Sequence, residues 1–450
     1  MSKHLLVIAL LLCAAAPSVA TAQLLGGPVG GATQPVAGAI GQIGNTVDQT
    51  ASRMTDSPLS RRDQARMVAP SLDRVTTPLA ITQTTADQLA ALRLMRLQAL
   101  IDANRATLER DTDGQPVRRG ELIAVNPEPD ALAAAVKAGF HIIADEQTGE
   151  LGVRIVTFTP PKGMNVRAAM KMLRKAAPTL EADYNHIYEP AGGALLPAAS
   201  AALAAAAPIR PGTRIAMIDG GVASHPSLAG TAIEQRGFAG DPQPTGHGTA
   251  VGSLLLGDDG PFRGAARGAQ LFVGDVYGGN PAAGSAASIV RALAWAASKR
   301  PTVINVSLIG PDNRALSRTV AALRARGITV VAAVGNDGPA APPQFPASYP
   351  GVIAVTGVDA ADQALREAGR ATHLDFAAPG ADLVAALPGK GYTPVRGTSF
   401  AAPFVAARLA ATGSLAQLAA EAMPGKGKVG RGIVCRTCRI TPKMVGLKLK

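Results

Sequence analysis

Five short apolar segments after Pro211 constrain the fold of this 450-residue chain more than any other feature. They span residues 214–218, 271–276, 303–307, 329–334 and 352–358. Nearly uninterrupted apolar strands are typical of parallel sheets that are buried on both faces. Helical patterns at 286–298 and 316–326 supply crossovers between such strands. We therefore predict an α/β fold with a doubly wound, mostly parallel sheet over residues 210–434.

Residues 119–189 have a different pattern, in which predicted strands are interrupted by two predicted helices. The strands are expected at 121–125, 141–144, 153–158 and 182–188, and the helices at 129–140 and 165–175. The order βαββαβ predicts a small α+β unit of the ferredoxin-like type. Before it, apolar residues at three- and four-residue offsets from Ala86 to about Arg110 predict an amphipathic helix. We assign 86–118 to this helix and a connector.

The N-terminus has the pattern of an export signal. Lys3 precedes an apolar run, and Ala20-Thr21-Ala22 forms a small-residue cleavage site, so residues 1–22 are interpreted as a signal peptide. The apolar run is too short for a membrane span, and no transmembrane segment is predicted elsewhere. Residues 23–85 are rich in Gly, Pro and Thr and are predicted to be disordered. We expect an exported protein, either secreted or periplasmic.

The connector at 190–209 and the C-terminal tail at 435–450 have biased compositions. The alanine-rich connector is interpreted either as an exposed linker or as a short helix. Cys435 and Cys438, spaced C-x-x-C in a basic tail, favour a local disulfide in an oxidising compartment. A zinc site would need two further ligands, which the neighbouring sequence does not offer. No metal or cofactor is predicted.

The net charge of +12 raises the question of nucleic-acid binding. Such binding favours a basic face interleaved with aromatic residues, and aromatics make up only 3% of this chain. We therefore predict no nucleic-acid partner. A basic surface remains compatible with loose association with anionic cell envelopes.

Four polar residues stand where apolar segments end or helices begin. Asp219 follows the first strand, His247 lies in Gly-His-Gly-Thr at the start of a helical pattern, and Asn336 follows the fourth strand. Ser399 opens an apolar helix that contains Pro403, in the run Gly-Thr-Ser-Phe-Ala-Ala-Pro. Singly, each could be a turn former, a helix cap or a loop residue. Together they predict a site at the carboxyl ends of parallel strands.

These four motifs resemble those of the subtilisin-like serine proteases, and the likeness spans about 210–434. The order aspartate, histidine, serine is the one found in that family. The resemblance implies that Ser399 is the nucleophile, His247 the general base and Asp219 its orienting carboxylate. It also implies that Asn336 and the backbone N–H of Ser399 stabilise the oxyanion. We accordingly expect a sheet of the subtilisin type.

The resemblance further implies a substrate-binding edge and a pocket. The edge comprises Ser307, Leu308 and Ile309, where a peptide would add as a strand. One wall of the pocket comprises Ala333, Val334 and Gly335. Three positions depart from the family pattern, namely Gly220, Ile309 and Phe400. Of these, Ile309 and Phe400 predict a narrower cleft than usual.

The unit at 119–189 resembles the ferredoxin-like propeptides of these proteases, which assist folding, inhibit the enzyme and are cut off by it. This implies a zymogen that cleaves itself within 190–210 and hydrolyses protein or peptide substrates, and we expect it to be a monomer. Three alternatives stay open. The unit could be a permanently attached domain, the chain could be a catalytically weak protein-binding module of the cell envelope, or its charge alone could anchor it there.

Overall fold

A computed structural model describes residues 84–192, 209–389 and 391–447. The predicted signal peptide, all of the predicted disordered segment except Thr84 and Thr85, and residues 193–208 of the connector lie outside the described residues. All described residues belong to one compact unit. Below, residues 84–192 are called the N-terminal subdomain and residues 209–447 the C-terminal subdomain.

The N-terminal subdomain begins with a capped helix. Its elements are α1 (Ala86–Ala103), β1 (Leu108–Arg110), β2 (Pro116–Val125), α2 (Pro129–Lys137), β3 (His141–Gln147), β4 (Arg154–Thr159), α3 (Val166–Ala176), β5 (Ala182–His186) and β6 (Glu189–Pro190). Thr85 caps α1, since its hydroxyl accepts from Gln88 N at 3.3 Å and the Gln88 side chain accepts from Thr85 N at 2.8 Å. The prediction that this helix extends to about residue 110 is wrong. Residues 108–110 instead pair with β2, whose strand conformation also begins five residues earlier than predicted.

Five of these strands form one sheet that carries the helices α2 and α3 on one face. Strand β2 lies centrally, with β4 and β5 beside it, β1 at its start and β3 beyond β4. Alternate side chains of the sheet, among them Leu122, Val156 and Phe158, pack with Ala135 and Leu173 from the two helices. The predicted βαββαβ order and α+β class are confirmed.

The C-terminal subdomain is built around seven parallel strands. Its elements are β7 (Arg214–Asp219), β8 (Ala232–Gly237), α4 (Gly246–Leu256), β9 (Asp258–Asp259), β10 (Phe262–Arg263), β11 (Gln270–Asp275), α5 (Ala286–Ser298), β12 (Val303–Val306), β13 (Leu308–Ile309), α6 (Arg314–Ala325), β14 (Thr329–Ala333), β15 (Ile353–Val358), β16 (Phe376–Pro379), β17 (Leu383–Leu387), β18 (Gly391–Val395), α7 (Thr398–Thr412) and α8 (Leu415–Glu421). The strand order is β16-β15-β14-β12-β7-β11-β8. The predicted doubly wound parallel sheet is confirmed.

Helices cover this sheet on both faces. Side chains such as Met217 and Val331 point to the face covered by α4 and α7, whereas their neighbours Ile218 and Ala332 point to the face covered by α5 and α6. Because both faces are buried, the strands need apolar residues at successive positions, which explains the continuous apolar runs of the sequence. Because the strands are parallel, the carboxyl ends of β7, β12 and β14 lie at the same edge of the sheet.

The N-terminal subdomain packs its second sheet face against the outer side of α5 and α6. The side chains that share this cluster are Ile123, Val125, Leu151, Val153 and Ile155. Strand β5 adds polar contacts, since Asp183 accepts from Arg314 N at 2.9 Å and Asn185 accepts from Ala287 N at 3.1 Å. These backbone N–H groups lie in the first turns of the two helices, where donors lack partners within the helix.

Residues 435–447 fold into the C-terminal subdomain, so the prediction of a tail beginning at 435 is wrong for them. Cys435 and Cys438 are joined by a disulfide, with a Cα–Cα distance of 5.2 Å. Arg439 is buried and donates to the carbonyl oxygens of Ala381 and Asp359. The neighbouring Ile440 is also buried. The basic composition was misleading because backbone carbonyls accommodate this guanidinium inside the fold.

Two kinds of feature are absent from the described ranges. No helix there is long and apolar enough to cross a membrane. No three His, Cys, Asp or Glu side chains in those ranges are grouped so that they could hold a metal ion.

Candidate active site

Asp219 and His247 meet at the carboxyl end of β7. Asp219 is completely buried, and its Oδ1 accepts from Gly220 N at 2.7 Å and from His247 Nδ1 at 2.8 Å. His247 lies in the first turn of α4, which Thr245 caps by accepting from Gly248 N at 2.9 Å. Because an ionised carboxylate only accepts hydrogen bonds, Nδ1 of the histidine carries the proton. In the tautomer that is protonated at Nδ1 alone, Nε2 is an acceptor.

Ser399 lies in the first turn of α7, beside the same histidine. Its Oγ donates to Ser307 O at 3.3 Å, and His247 Nε2 has no hydrogen-bond partner within the described ranges. The serine carbonyl accepts from Ser307 Oγ at 3.1 Å. Pro403 lies inside the helix and lacks the N–H that would otherwise reach this carbonyl. The proline thus leaves the nucleophile's carbonyl free for Ser307.

Asn336 orients its amide between α7 and the N-terminal subdomain. Its Oδ1 accepts from Thr398 N at 3.0 Å, so its Nδ2 faces the other way and donates to the carbonyl oxygen of Ala191. Gly397, with φ of 139°, makes this approach possible, because a Cβ there would lie 2.7 Å from Nδ2 of Asn336. The amide therefore lies where it can stabilise negative charge on the Ala191 carbonyl oxygen.

The end of the N-terminal subdomain occupies the site as an added strand. Strand β6 pairs antiparallel with β13, and Ala191 N donates to Ser307 O at 2.8 Å. Gly192 then lies against the catalytic candidates, since a Cβ on it would be 2.8 Å from His247 Nε2 and 3.0 Å from Ser399 Cβ. The peptide bond between Ala191 and Gly192 consequently lies between the serine, the histidine and Asn336.

Tyr188, three residues before Ala191, fills a buried pocket of the C-terminal subdomain. Its hydroxyl donates to Pro311 O at 2.7 Å, its backbone N donates to Gly284 O at 2.8 Å, and its carbonyl accepts from Tyr277 OH at 3.2 Å. Burial raises the pKa of both phenols well above the ordinary value, so both stay protonated and able to donate. The side chain is thereby anchored at both its ring and its backbone.

The predicted pocket wall is only partly assembled around Ala191. Ala191 shares a buried apolar cluster with Ile309 and Ala333, whereas Val334 packs in the cluster on the opposite face of the sheet. Gly335 faces Ile309, because a Cβ on it would lie 3.1 Å from Ile309 Cγ2. Ile309 therefore lies against Gly335 and belongs to the apolar cluster that buries Ala191.

The two other departures from the motif pattern lie beside His247 or beside the residue that caps its helix. A Cβ on Gly220 already comes close to the Thr245 side chain, so a larger residue at 220 would crowd the threonine that caps the histidine helix. The Phe400 ring lies 5.6 Å from the His247 ring, centroid to centroid, and covers it on the side of α7.

Sequence reasoning missed several residues that position the site. Buried Asn305 donates to Ser307 Oγ at 3.0 Å, and Thr398 Oγ1 accepts from Gly335 N at 3.0 Å. The signal for Asn305 was a lone amide within an apolar strand, which must find a partner when buried. Also missed was Asp337, whose partners lie more than 200 positions earlier in the chain.

Comparison with known proteins agrees with this geometry. Residues 210–423 match the model of the subtilase family. Over 200 residues the chain is 34% identical to Subtilisin Savinase of Lederbergia lenta, a match that covers 43% of this chain and 74% of that protein. It is equally identical over 200 residues to an alkaline protease of Shouchella clausii, and the match covers 52% of that protein. The chain thus spans about half the length of the second relative.

Among solved structures, fervidolysin from Fervidobacterium pennivorans, described as a keratinolytic enzyme related to subtilisin, superposes with a TM-score of 0.62. The superposition covers 73% of this chain and 62% of that chain, at 18% sequence identity. At this identity the likeness concerns the fold alone.

Proposed function

The chain belongs to the subtilase family of serine proteases, and from this premise we propose that it is an exported serine endopeptidase made as a self-cleaving zymogen. We call residues 23–191 the prosegment and propose that the cut falls between Ala191 and Gly192. One observation carries the proposal, namely that Asn336 donates to the Ala191 carbonyl while Gly192 lies against His247 and Ser399.

In the proposed reaction, Ser399 Oγ attacks the carbonyl carbon of Ala191. The hydroxyl turns from Ser307 O toward His247 Nε2, which takes its proton, and Asp219 stabilises the imidazolium that forms. Negative charge develops on the Ala191 oxygen, where Asn336 Nδ2 and the backbone N–H of Ser399 stabilise it.

The tetrahedral intermediate then collapses. The bond from Ala191 to Gly192 breaks, and His247 gives its proton to the departing amine of Gly192. A water activated by the same histidine hydrolyses the ester between Ala191 and Ser399. The products are a carboxylate at Ala191 and a mature enzyme that begins at Gly192.

The cut prosegment is proposed to stay bound as an inhibitor. Backbone pairing of β6 with β13, the buried Tyr188 and the apolar face on α5 and α6 are all independent of the cleaved bond. The burial of Ala191 beside Ile309 and Ala333, and of Tyr188 in its own pocket, supports a preference for peptide substrates with a small residue before the cut and an aromatic residue three positions earlier. Since the chain alone supplies Asp219, His247, Asn336 and Ser399, we propose that the mature enzyme acts as a monomer.

The test is expression of the full chain with export intact, beside a Ser399→Ala chain. The wild type should appear outside the cytoplasm as two fragments, and N-terminal sequencing of the larger fragment should begin at Gly192. The Ser399→Ala protein should remain uncut apart from its signal peptide. Normal processing of the alanine variant, or a mature N-terminus away from 192, would contradict the proposal.

A further inference from the structure

Two arginines of α1 converge on Asp337, the residue after the amide that faces the cleavage point. Arg96 Nη2 lies 2.8 Å from Asp337 Oδ1, and Arg93 Nε lies 3.1 Å from Asp337 Oδ2. The Asp337 side chain is only 3% exposed and that of Arg93 only 6% exposed. Helix α1 also packs closely on the next residue, since a Cβ on Gly338 would lie 2.8 Å from Leu89 Cβ. A carboxylate at the rim of the cleft is therefore covered by a helix of the prosegment.

Arg96 also reaches the strand that occupies the cleft. Its Nε lies 3.2 Å from Glu189 Oε1, so one guanidinium separates the carboxylates of Glu189 and Asp337. Counted back from the cut, Ala191 is the first residue and Glu189 the third. Because alternate side chains of an extended strand point to the same side, the third side chain leaves the strand on the side of the Ala191 pocket. Asp337 lies at that rim.

We infer that Asp337 is a specificity-determining residue of the mature enzyme, favouring a basic side chain and disfavouring an acidic one at the third position before the cut. The inference rests on the proposed function, because α1 lies before Ala191 and leaves with the prosegment. Arg93 and Arg96 leave with it. The carboxylate of Asp337 then faces the third side chain of a substrate directly.

The prosegment's own Glu189 fits this interpretation. Without Arg96 between them, two carboxylates this close would repel each other. Helix α1 thus supplies the cation that lets an acidic residue occupy a position where the mature enzyme favours a cation. An ordinary substrate brings no such helix, so its third side chain meets the charge of Asp337 itself.

The effect should be moderate and sensitive to salt, since the rim becomes exposed to water once α1 leaves. We expect the kcat/KM of a peptide with arginine at the third position to exceed that of the glutamate peptide about tenfold at low ionic strength. The ratio should shrink as salt is added.

The experiment uses mature enzyme obtained by self-cleavage of the full chain and three matched peptides, Tyr-X-Pro-Ala-Gly, with X as Arg, Gln or Glu. The order Arg, then Gln, then Glu in kcat/KM, narrowing at high salt, supports the inference. Equal rates for the three peptides, or an order that salt leaves unchanged, would overturn it.

Variants at the rim then identify the responsible charge. In Asp337→Asn the ratio between the arginine and glutamate peptides should fall to about one, whereas Asp337→Glu should keep it. A ratio that survives in Asp337→Asn assigns the preference to another group and overturns the inference. If Asp337→Asn fails to mature, the salt dependence of kcat/KM for the three peptides, measured with the wild-type enzyme, still tests the inference.

Failure of the inference differs visibly from failure of the proposed function. Hydrolysis of all three peptides at equal rates leaves the protease intact and removes only the role of Asp337. Hydrolysis of none, together with no labelling of Ser399 by a fluorophosphonate probe, overturns both.

Discussion

The two subdomains differ in how each covers its sheet. The seven-stranded sheet of the C-terminal subdomain carries its own helices on both faces, α4 and α7 on one and α5 and α6 on the other. The five-stranded sheet of the N-terminal subdomain has its own helices on one face only, and its second face is closed by α5 and α6 of its neighbour. The C-terminal subdomain covers both faces of its own sheet. The N-terminal subdomain needs the C-terminal subdomain to cover one face of its sheet.

In the proposed zymogen, this difference assigns catalysis to the C-terminal subdomain and inhibition to the N-terminal subdomain. Every proposed catalytic side chain comes from the self-sufficient subdomain, whereas the dependent subdomain contributes the strand that blocks the site. Substitutions in the C-terminal subdomain should alter the rate of the chemical step. Substitutions in the N-terminal subdomain should alter how long the site stays blocked. Variants with matched controls test this division of roles.

The largest effect is expected for His247→Ala. Without its general base the serine should lose about 10⁶-fold in rate, so the chain should stay full length and resist fluorophosphonate labelling. The control is His141→Ala, an exposed histidine of β3, which should process and label like the wild type. Gel analysis after expression and labelling gives both results. Self-cleavage of the His247→Ala chain would show that another residue is the general base.

A smaller loss is expected for Asn336→Ala, which removes one donor to the Ala191 oxygen. Self-cleavage and the kcat of the mature enzyme should both fall about 10²- to 10³-fold, and the cleavage rate should not depend on protein concentration. Asn165→Ala makes the same change at the cap of α3, where the side chain accepts from Ala168 N at 3.0 Å.

This control should cost the uncut chain about 1 kcal/mol of stability. It should leave the mature kcat unchanged, because residue 165 has left with the prosegment. Equal losses of kcat in the two asparagine variants would contradict the assignment of catalysis to the C-terminal subdomain alone.

Much of the fold and site could be predicted because the signals are local. Apolar runs identify buried parallel strands, and Asp219 and Asn336 lie at the end of such a run or within three residues of it. The alignment of Ala191 with the serine could not be predicted in an alanine-rich connector, since it depends on how Tyr188 and β6 dock. The contact of Arg96 with Asp337 was equally hidden, because the two residues are brought together only by the tertiary fold.

The dependence of the N-terminal subdomain on its neighbour is tested by Ile155→Ala. Ile155 is completely buried in the cluster shared with α5 and α6, so its truncation should lower the free energy of unfolding of the uncut Ser399→Ala chain by about 2–5 kcal/mol. Denaturant unfolding measures the loss. Val136→Ala on the exposed side of α2, where the side chain is 50% exposed, should change little.

The mature enzyme obtained from the Ile155→Ala chain should melt like the wild type, because the substitution is no longer present. A mature enzyme of altered stability would show that the prosegment has a lasting effect on the fold of the C-terminal subdomain.

The smallest effect is expected for Arg96→Gln, which removes the cation between Glu189 and Asp337. The side chain of Arg96 is 41% exposed, so the loss in prosegment affinity should be about 0.5–1 kcal/mol, or roughly two- to fivefold in the release rate. Release is measured as the lag before peptide hydrolysis begins after self-cleavage. Arg105→Gln is the matched control, because Arg105 pairs with Asp102 2.5 Å away at an exposed site near the end of the same helix. If only Arg96→Gln shortens the lag, and high salt removes the difference from the wild type, then α1 inhibits the site through charge. Equal lags for both variants would assign the inhibition to β6 and to the apolar contacts with α5 and α6.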